Sequence, residues 1–175
     1  KMASGITVAG LLCGLILVLS CPRQSGTLYE LNQLLHGNFD PEFGNGRIHI
    51  WKEVLALVPE NLWFGTGPDT MKAFSIQGLS WKHAPSGTIV PLMVDVAHNE
   101  YLNVLFHQGI LALVAYLGAL AVSAGKWLKT DTLAVAALGT GILCYCIQAF
   151  FSFSMNASAA VFWALWALME NWCKR

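Results

Sequence analysis

Two side chains in this 175-residue chain stand where helices begin, and each suits a different part of a group transfer. Arg47 falls in the first turn of GRIHIWKEVLALVPE, where Ile48, Trp51, Val54, Leu55 and Val58 recur at helical spacing and Pro59 follows. A cation at that position opposes the helix dipole. It gains a physical reason if an anion also meets the backbone N–H groups of the first turn. An arginine that faces water or lipid headgroups is the other reading of the same helix. His98 opens HNEYLNVLFHQG, in which Tyr101, Leu102, Leu105 and Phe106 line one face. A helix N-terminus lowers the pKa of a nearby imidazole and favours the neutral form, which can act as a base. Asn99 or Glu100 is placed to orient it. A histidine that only caps the helix is the alternative.

A third pattern is WFGTGPDTM, where Gly65, Gly67 and Pro68 make a sharp turn and Asp69 or Thr70 is placed to cap a following helix. The backbone at Gly67 could approach a phosphate, or the turn could be structural. The Lys-Ser/Thr ending of a P-loop is missing. His36, His49, Lys72, Lys82, His83, Asp95 and His107 are scattered without zinc-ligand spacing such as HExxH. Asp95, His98 and Glu100 could in principle bind a divalent ion, though surface or structural roles are the commoner reading. The five cysteines contain no CxxC and read as thiols buried in lipid.

The elements that must position these groups follow from composition. The chain is 55% hydrophobic and 11% charged, with ten basic and ten acidic residues. An ordinary soluble domain carries about 25% charged residues. Disorder, a collagen-like chain and a soluble nucleic-acid binder are excluded, and a membrane protein is indicated. Met2 to Pro22 is uncharged and reads as a first span, residues 2–22. A second span covers 109–128, closed by Lys126 and Lys129. Thr132 to Met169 runs 38 residues without charge. As one helix it would measure about 57 Å, nearly twice a bilayer core. It must fold back at the cluster Ser152, Ser154, Asn156 and Ser158, giving spans 132–151 and 157–172. Trp163, Trp166 and Trp172 suit a membrane-interface belt. Four spans put Lys1, Lys126, Lys129, Lys174 and Arg175 on one side, the cytoplasm by the positive-inside rule. Residues 23–108 then form a long extracytoplasmic loop with amphipathic helices. It holds all five histidines, eight of ten acidic residues and five of ten basic ones, so chemistry is expected there. The expected fold class is an all-α integral membrane protein. Met2 as a start after a stray residue and Lys1 as an internal cut are both open, and an excerpt of a longer polytopic protein with further helices upstream is the expectation.

The "GR…W" helix, the GTGPDT turn and AHNEYL running into GILALVAYL resemble, in that order, the C-terminal part of the O-antigen ligase and polymerase superfamily. The resemblance covers residues 44–125 in detail and the flanking spans in hydropathy. It implies a bacterial inner-membrane glycosyltransferase that moves a glycan from a polyprenyl-diphosphate carrier to an acceptor hydroxyl on a glycan, lipid or polymer. The reaction is placed outside the cytoplasmic membrane, with membrane lipids around the protein, no nucleic acid, and no metal or other cofactor. Carried over by motif position, Arg47 becomes the diphosphate clamp and His98 the base or acceptor-positioning group. Asn99 and Gly67 join the substrate-binding set. A further loop arginine is expected, but the loop has only Arg23 besides Arg47, so Lys72 or Lys82 would substitute without the bidentate fork. A polymerase of the same superfamily is the alternative. A non-catalytic transporter component with a ligand-recognising outer loop is the rival from another class, as is a membrane anchor that displays a binding loop. A transporter would place ionisable groups at mid-span, and these spans carry none there.

Overall fold

The computed structural model describes residues 2–20, 25–40, 43–74, 80–82, 89–91, 93–130 and 132–173. Six helices account for most of them: α1 (Met2–Leu19), α2 (Thr27–Leu35), α3 (Phe43–Leu57), α4 (Glu100–Lys129), α5 (Leu133–Ala149) and α6 (Asn156–Trp172). Single 3-10 turns cover Val58–Asn61 and Met71–Ala73. The helical class is accompanied by one short antiparallel ribbon. It pairs β1 (Ser80–Lys82) with β2 (Ile89–Pro91) and puts Trp81 opposite Val90. The chain divides into two compact units, residues 1–39 with 115–175, and residues 40–114.

The first unit packs apolar helices. Trp127, Val135, Ile142, Phe162, Trp166 and Met169 form its core. The indole of Trp127 lies over Gly139, where a Cβ would overlap the ring, and its Nε1 donates to the Ala136 carbonyl at 3.1 Å. Ser123 accepts from Trp166 Nε1 at 2.7 Å and donates to Glu170, which also receives Lys126. Polar groups on helix faces thus bond to one another, as an apolar surrounding demands. Asn32 of α2 donates to the Val18 and Leu19 carbonyls and satisfies the open end of α1. The fold-back between α5 and α6 occupies Phe150 to Met155, so Asn156 and Ser158 lie in the first turn of α6 and not in the connection. Trp166 is core, which removes it from the expected interface belt, while Trp163 and Trp172 are exposed.

Among the described residues one helix, α4, is long and apolar enough to cross a membrane; Gly5–Leu19 and Leu133–Ala149 are apolar but shorter. Helix α4 breaks at Gly109, whose φ of 83° and ψ of 178° are not helical. From Ile110 to Lys129 it rises about 30 Å, the thickness of a hydrocarbon core.

The second unit is built around that break. Ile50, Val54, Met71, Val94, Ala97 and Phe106 form its core, with Leu57, Phe74 and Leu102 packed against them. On α3 the buried positions are Ile48, Ile50 and Val54, while Trp51 is half-buried and Leu55 is exposed. The expected face is therefore rotated toward Ile50. The regular helix begins only at Arg47, because Gly44, Asn45 and Gly46 all adopt left-handed φ of 66°, 57° and 81°. Opening the helix at Gly109 would orphan backbone groups, and the Gly65 turn takes them up. Thr66 N–H donates to Phe106 O at 2.9 Å and Gly67 N–H to His107 O at 3.0 Å, while Ile110 N–H donates to Leu62 O at 2.8 Å. Gly65 and Gly109 permit this approach from both sides. A Cβ on Gly65 would overlap the His107–Gln108 peptide, and one on Gly109 would overlap the Trp63–Phe64 peptide.

Gly109→Ala is expected to cost about 2–3 kcal/mol, from overlap with backbone and a positive φ together. Thermal unfolding in detergent micelles checks this, and a variant melting with the parent would contradict the docking.

Candidate active site

Among the described residues three non-glycine positions have left-handed φ: Asn45 at 57°, Asp69 at 55° and His98 at 50°. His98 and Asp69 lie within the second and third patterns named above and Asn45 stands two residues before Arg47, all in the second unit. Such backbone costs on the order of 1 kcal/mol per residue, and it persists where surrounding contacts impose it.

At His98 the contacts that impose it surround its neighbour. Ala97 is fully buried. Its carbonyl accepts from Trp51 Nε1 at 2.9 Å, and its N–H donates to Asn103 Oδ1 at 2.9 Å. Both backbone groups of Ala97 are thus held, one by α3 and one by α4. Helix α4 is capped by Asn99, whose Oδ1 accepts from Leu102 N–H at 3.1 Å and whose side chain is buried. Capping belongs to Asn99 and not to His98. The imidazole is half-buried at the edge of this frame.

Arg47 reaches the same place because it precedes Trp51 by one helical turn, and residues four apart share a face. Its stem folds along Gly44, where an added Cβ would stand 3.4 Å from Arg47 Cβ. The pKa of His98 lies below its ordinary value of 6.5. Burial lowers it most, the Arg47 charge lowers it further, and Asp95 raises it. Arg47, His98 and Asp95 therefore form one electrostatic group. Lys72 joins it through a long ion pair, Nζ to Asp95 Oδ2 at 3.9 Å, with both side chains exposed. The chemistry this permits is specific. A permanent cation can hold an anion beside an imidazole that is neutral near pH 7, with a carboxylate near enough to steady the imidazolium once a proton arrives.

The other expected site residues are placed differently. Both backbone groups of Gly67 are engaged. Its N–H is spent on His107, and its carbonyl accepts from His107 Nδ1 at 2.7 Å and from Thr70 Oγ1 at 2.8 Å. The turn therefore docks on the α4 break, and neither Thr70 nor Asp69 caps a helix by its side chain. That hydrogen bond to a carbonyl sets His107 as the Nδ1–H tautomer. Lys82 lies in β1, with its side chain outside the described residues, as are Arg23 and His83. No group of three His, Cys, Asp or Glu side chains is arranged to hold a metal ion among the described residues. Trp51 and Asn103 were not singled out by residue type. The available signal was spacing: Arg47 with Trp51, and Asn99 with Asn103, each stand one turn apart.

A sequence profile described as O-antigen ligase matches residues 1–117, two thirds of the chain and every residue of the group just described. No curated protein and no solved structure matches the chain.

Because the native pKa of His98 is depressed, the unfolded chain binds more protons below pH 6.5. The stability that comes from keeping this imidazole neutral is present above that pH and lost as pH falls through the native value. NMR titration of histidine-labelled protein is expected to give a His98 midpoint below 6.5, raised by Arg47→Ala and lowered further by Asp95→Asn. A parent midpoint at or above 6.5, or no upward movement in Arg47→Ala, would contradict the grouping.

Proposed function

The chain belongs to the O-antigen ligase family of bacterial inner-membrane proteins, and on that premise we propose that it transfers a glycan from a polyprenyl-diphosphate carrier to an acceptor hydroxyl outside the cytoplasmic membrane. The observation that carries the reading is the pairing of Arg47 with an imidazole kept neutral beside it. Arg47 binds the diphosphate. As the bond from the anomeric carbon to the phosphate oxygen breaks, charge grows on the leaving diphosphate, and a fixed guanidinium stabilises it more than it stabilises the ground state. The acceptor hydroxyl attacks the anomeric carbon and gives its proton to His98. The resulting imidazolium is steadied by Asp95 and then returns its proton to solvent or to the released diphosphate.

Donor binding also tunes the base. In the empty site the Arg47 charge depresses the His98 pKa. A bound diphosphate offsets that charge, so the imidazole gains basicity when the donor is seated. Lys72 supplies a second cation at the rim. Trp51, Asn103 and Asn99 position the reacting groups. Ligase and polymerase differ only in the acceptor that reaches His98.

In this reading α1, α4, α5 and α6 cross the membrane, and residues 23–108 lie outside. The lysines at the C-terminal end of α4 support that orientation by the positive-inside rule. Along α4, the step from Glu100 to Gln108 rises about 12 Å. The site then stands at the outer edge of the headgroup layer, where the diphosphate of a membrane-embedded carrier meets its sugar.

Arg47→Ala and His98→Ala, in the full-length protein at normal expression, are each expected to lower glycan transfer about 100-fold or more, with Arg47→Lys intermediate. Parental transfer rates in both alanine variants would remove the assignment. Impermeant thiol reagents are expected to label cysteines placed at Glu60 or Lys72, but not at Lys129, from outside intact cells. The reverse pattern would invert the topology.

A further inference from the structure

The turn that docks on the α4 break also carries an apolar tip that the site does not use. Leu62, Trp63 and Phe64 are consecutive and exposed, Trp63 by 61% and Phe64 by 81%. The tip is held rigidly. Gly65 N–H donates to Asn61 O at 2.8 Å and closes the turn, while Ile110 N–H donates to Leu62 O at 2.8 Å. The backbone overlap awaiting any Cβ at Gly65 or Gly109 shows how close the two segments lie. With its backbone held there, the tip presents both aromatic rings exposed.

Ile110 is also where the apolar run of α4 begins, and beyond it Leu111 and Val114 are exposed. The hydrogen bond from Ile110 to Leu62 fixes the tip at the level where that run starts. A helix that crosses a bilayer from Ile110 onward brings the membrane–water boundary to the same level. Tryptophan and phenylalanine side chains are favourable at that depth. The polar flanks Glu60 and Asp69 are exposed on either side in sequence, as a tip that only dips into the boundary requires.

We infer that Leu62, Trp63 and Phe64 form a lipid-interface anchor, inserted among the headgroups and upper acyl chains of the outer leaflet. The anchor holds the second unit against the bilayer at a second point beside α4. It thereby fixes the height of Arg47 and His98 above the hydrocarbon, which a single helix free to tilt would leave variable. The inference rests on the reading of α4 as a span with its N-terminal end outside.

The test uses the whole chain in phosphatidylcholine vesicles, with native cysteines replaced and an environment-sensitive fluorophore attached at Phe64→Cys or Val114→Cys. Both probes are expected to show blue-shifted emission, quenching by lipid that carries a shallow doxyl group, and protection from aqueous iodide. A Val114 probe in lipid with a Phe64 probe in water overturns the anchor and leaves the span intact. Two probes in water overturn the span reading and the anchor with it. A Phe64 probe shielded from both quenchers means that protein covers the tip, which also overturns the anchor.

Discussion

The hydrogen bond from Trp51 Nε1 to the Ala97 carbonyl, 2.9 Å long, joins the two helices on which the site is built. Its donor sits one turn after Arg47 and its acceptor one residue before His98, so the bond joins the segments that carry the two groups. Its partner on the other side of the same peptide unit, Asn103 Oδ1 to Ala97 N–H, ties the segment to α4. With Ala97 fully buried, leaving either group unpaired would cost about 1–3 kcal/mol. The left-handed backbone of His98 follows directly on this held peptide unit.

The second constraint is the break at Gly109. A continuous α4 would satisfy its own carbonyls and offer nothing to the Gly65 turn. The break releases Phe106 O and His107 O, and the turn supplies Thr66 N–H and Gly67 N–H in return. The exchange places Met71, which follows the turn, in the core beneath α3, and Lys72 beside Asp95. It also divides α4 by environment. Residues before Gly109 pack in the polar unit, and residues after it form a run as long as a bilayer core is thick. Helix α4 thus carries polar chemistry at its start and an apolar run along its remainder.

Charge follows the same division. The first unit pairs its few polar groups internally, as Ser123, Lys126, Trp166 and Glu170 do across α4 and α6. The second unit keeps Arg47 and His98 half-buried, with Lys72 and Asp95 exposed. An unpaired, buried cation in the first setting would bear a heavy desolvation cost, and Lys126 is paired with Glu170 and partly exposed. In the second a cation can meet a charged ligand while burial still lowers the pKa of the histidine beside it.

Much of this was legible in residue order. The apolar runs coincide with α1, α4, α5 and α6, since period and hydropathy are local properties. Arg47 and His98 were singled out by type and by their place at helix starts. The α3 face was read with Leu55 inward, although Ile50 takes that place, because a periodic pattern does not say which direction the partner comes from. Gly67 and Asn99 were read as ligand contacts, and they are engaged in docking and capping. Their partners, His107 some forty residues away and the Leu102 amide within the same turn, are matters of folded geometry. Trp51 is legible in sequence only as part of the apolar face and the GR…W pattern, and Asn103 not at all, because an indole and an amide take their positioning role from the carbonyl or N–H they meet. Sequence alone determined the apolar helices, the concentration of ionisable groups in one loop and the family, all of which depend on composition and order. Only the tertiary structure decided that Arg47 and His98 are neighbours, because that depends on a hydrogen bond between residues 46 positions apart.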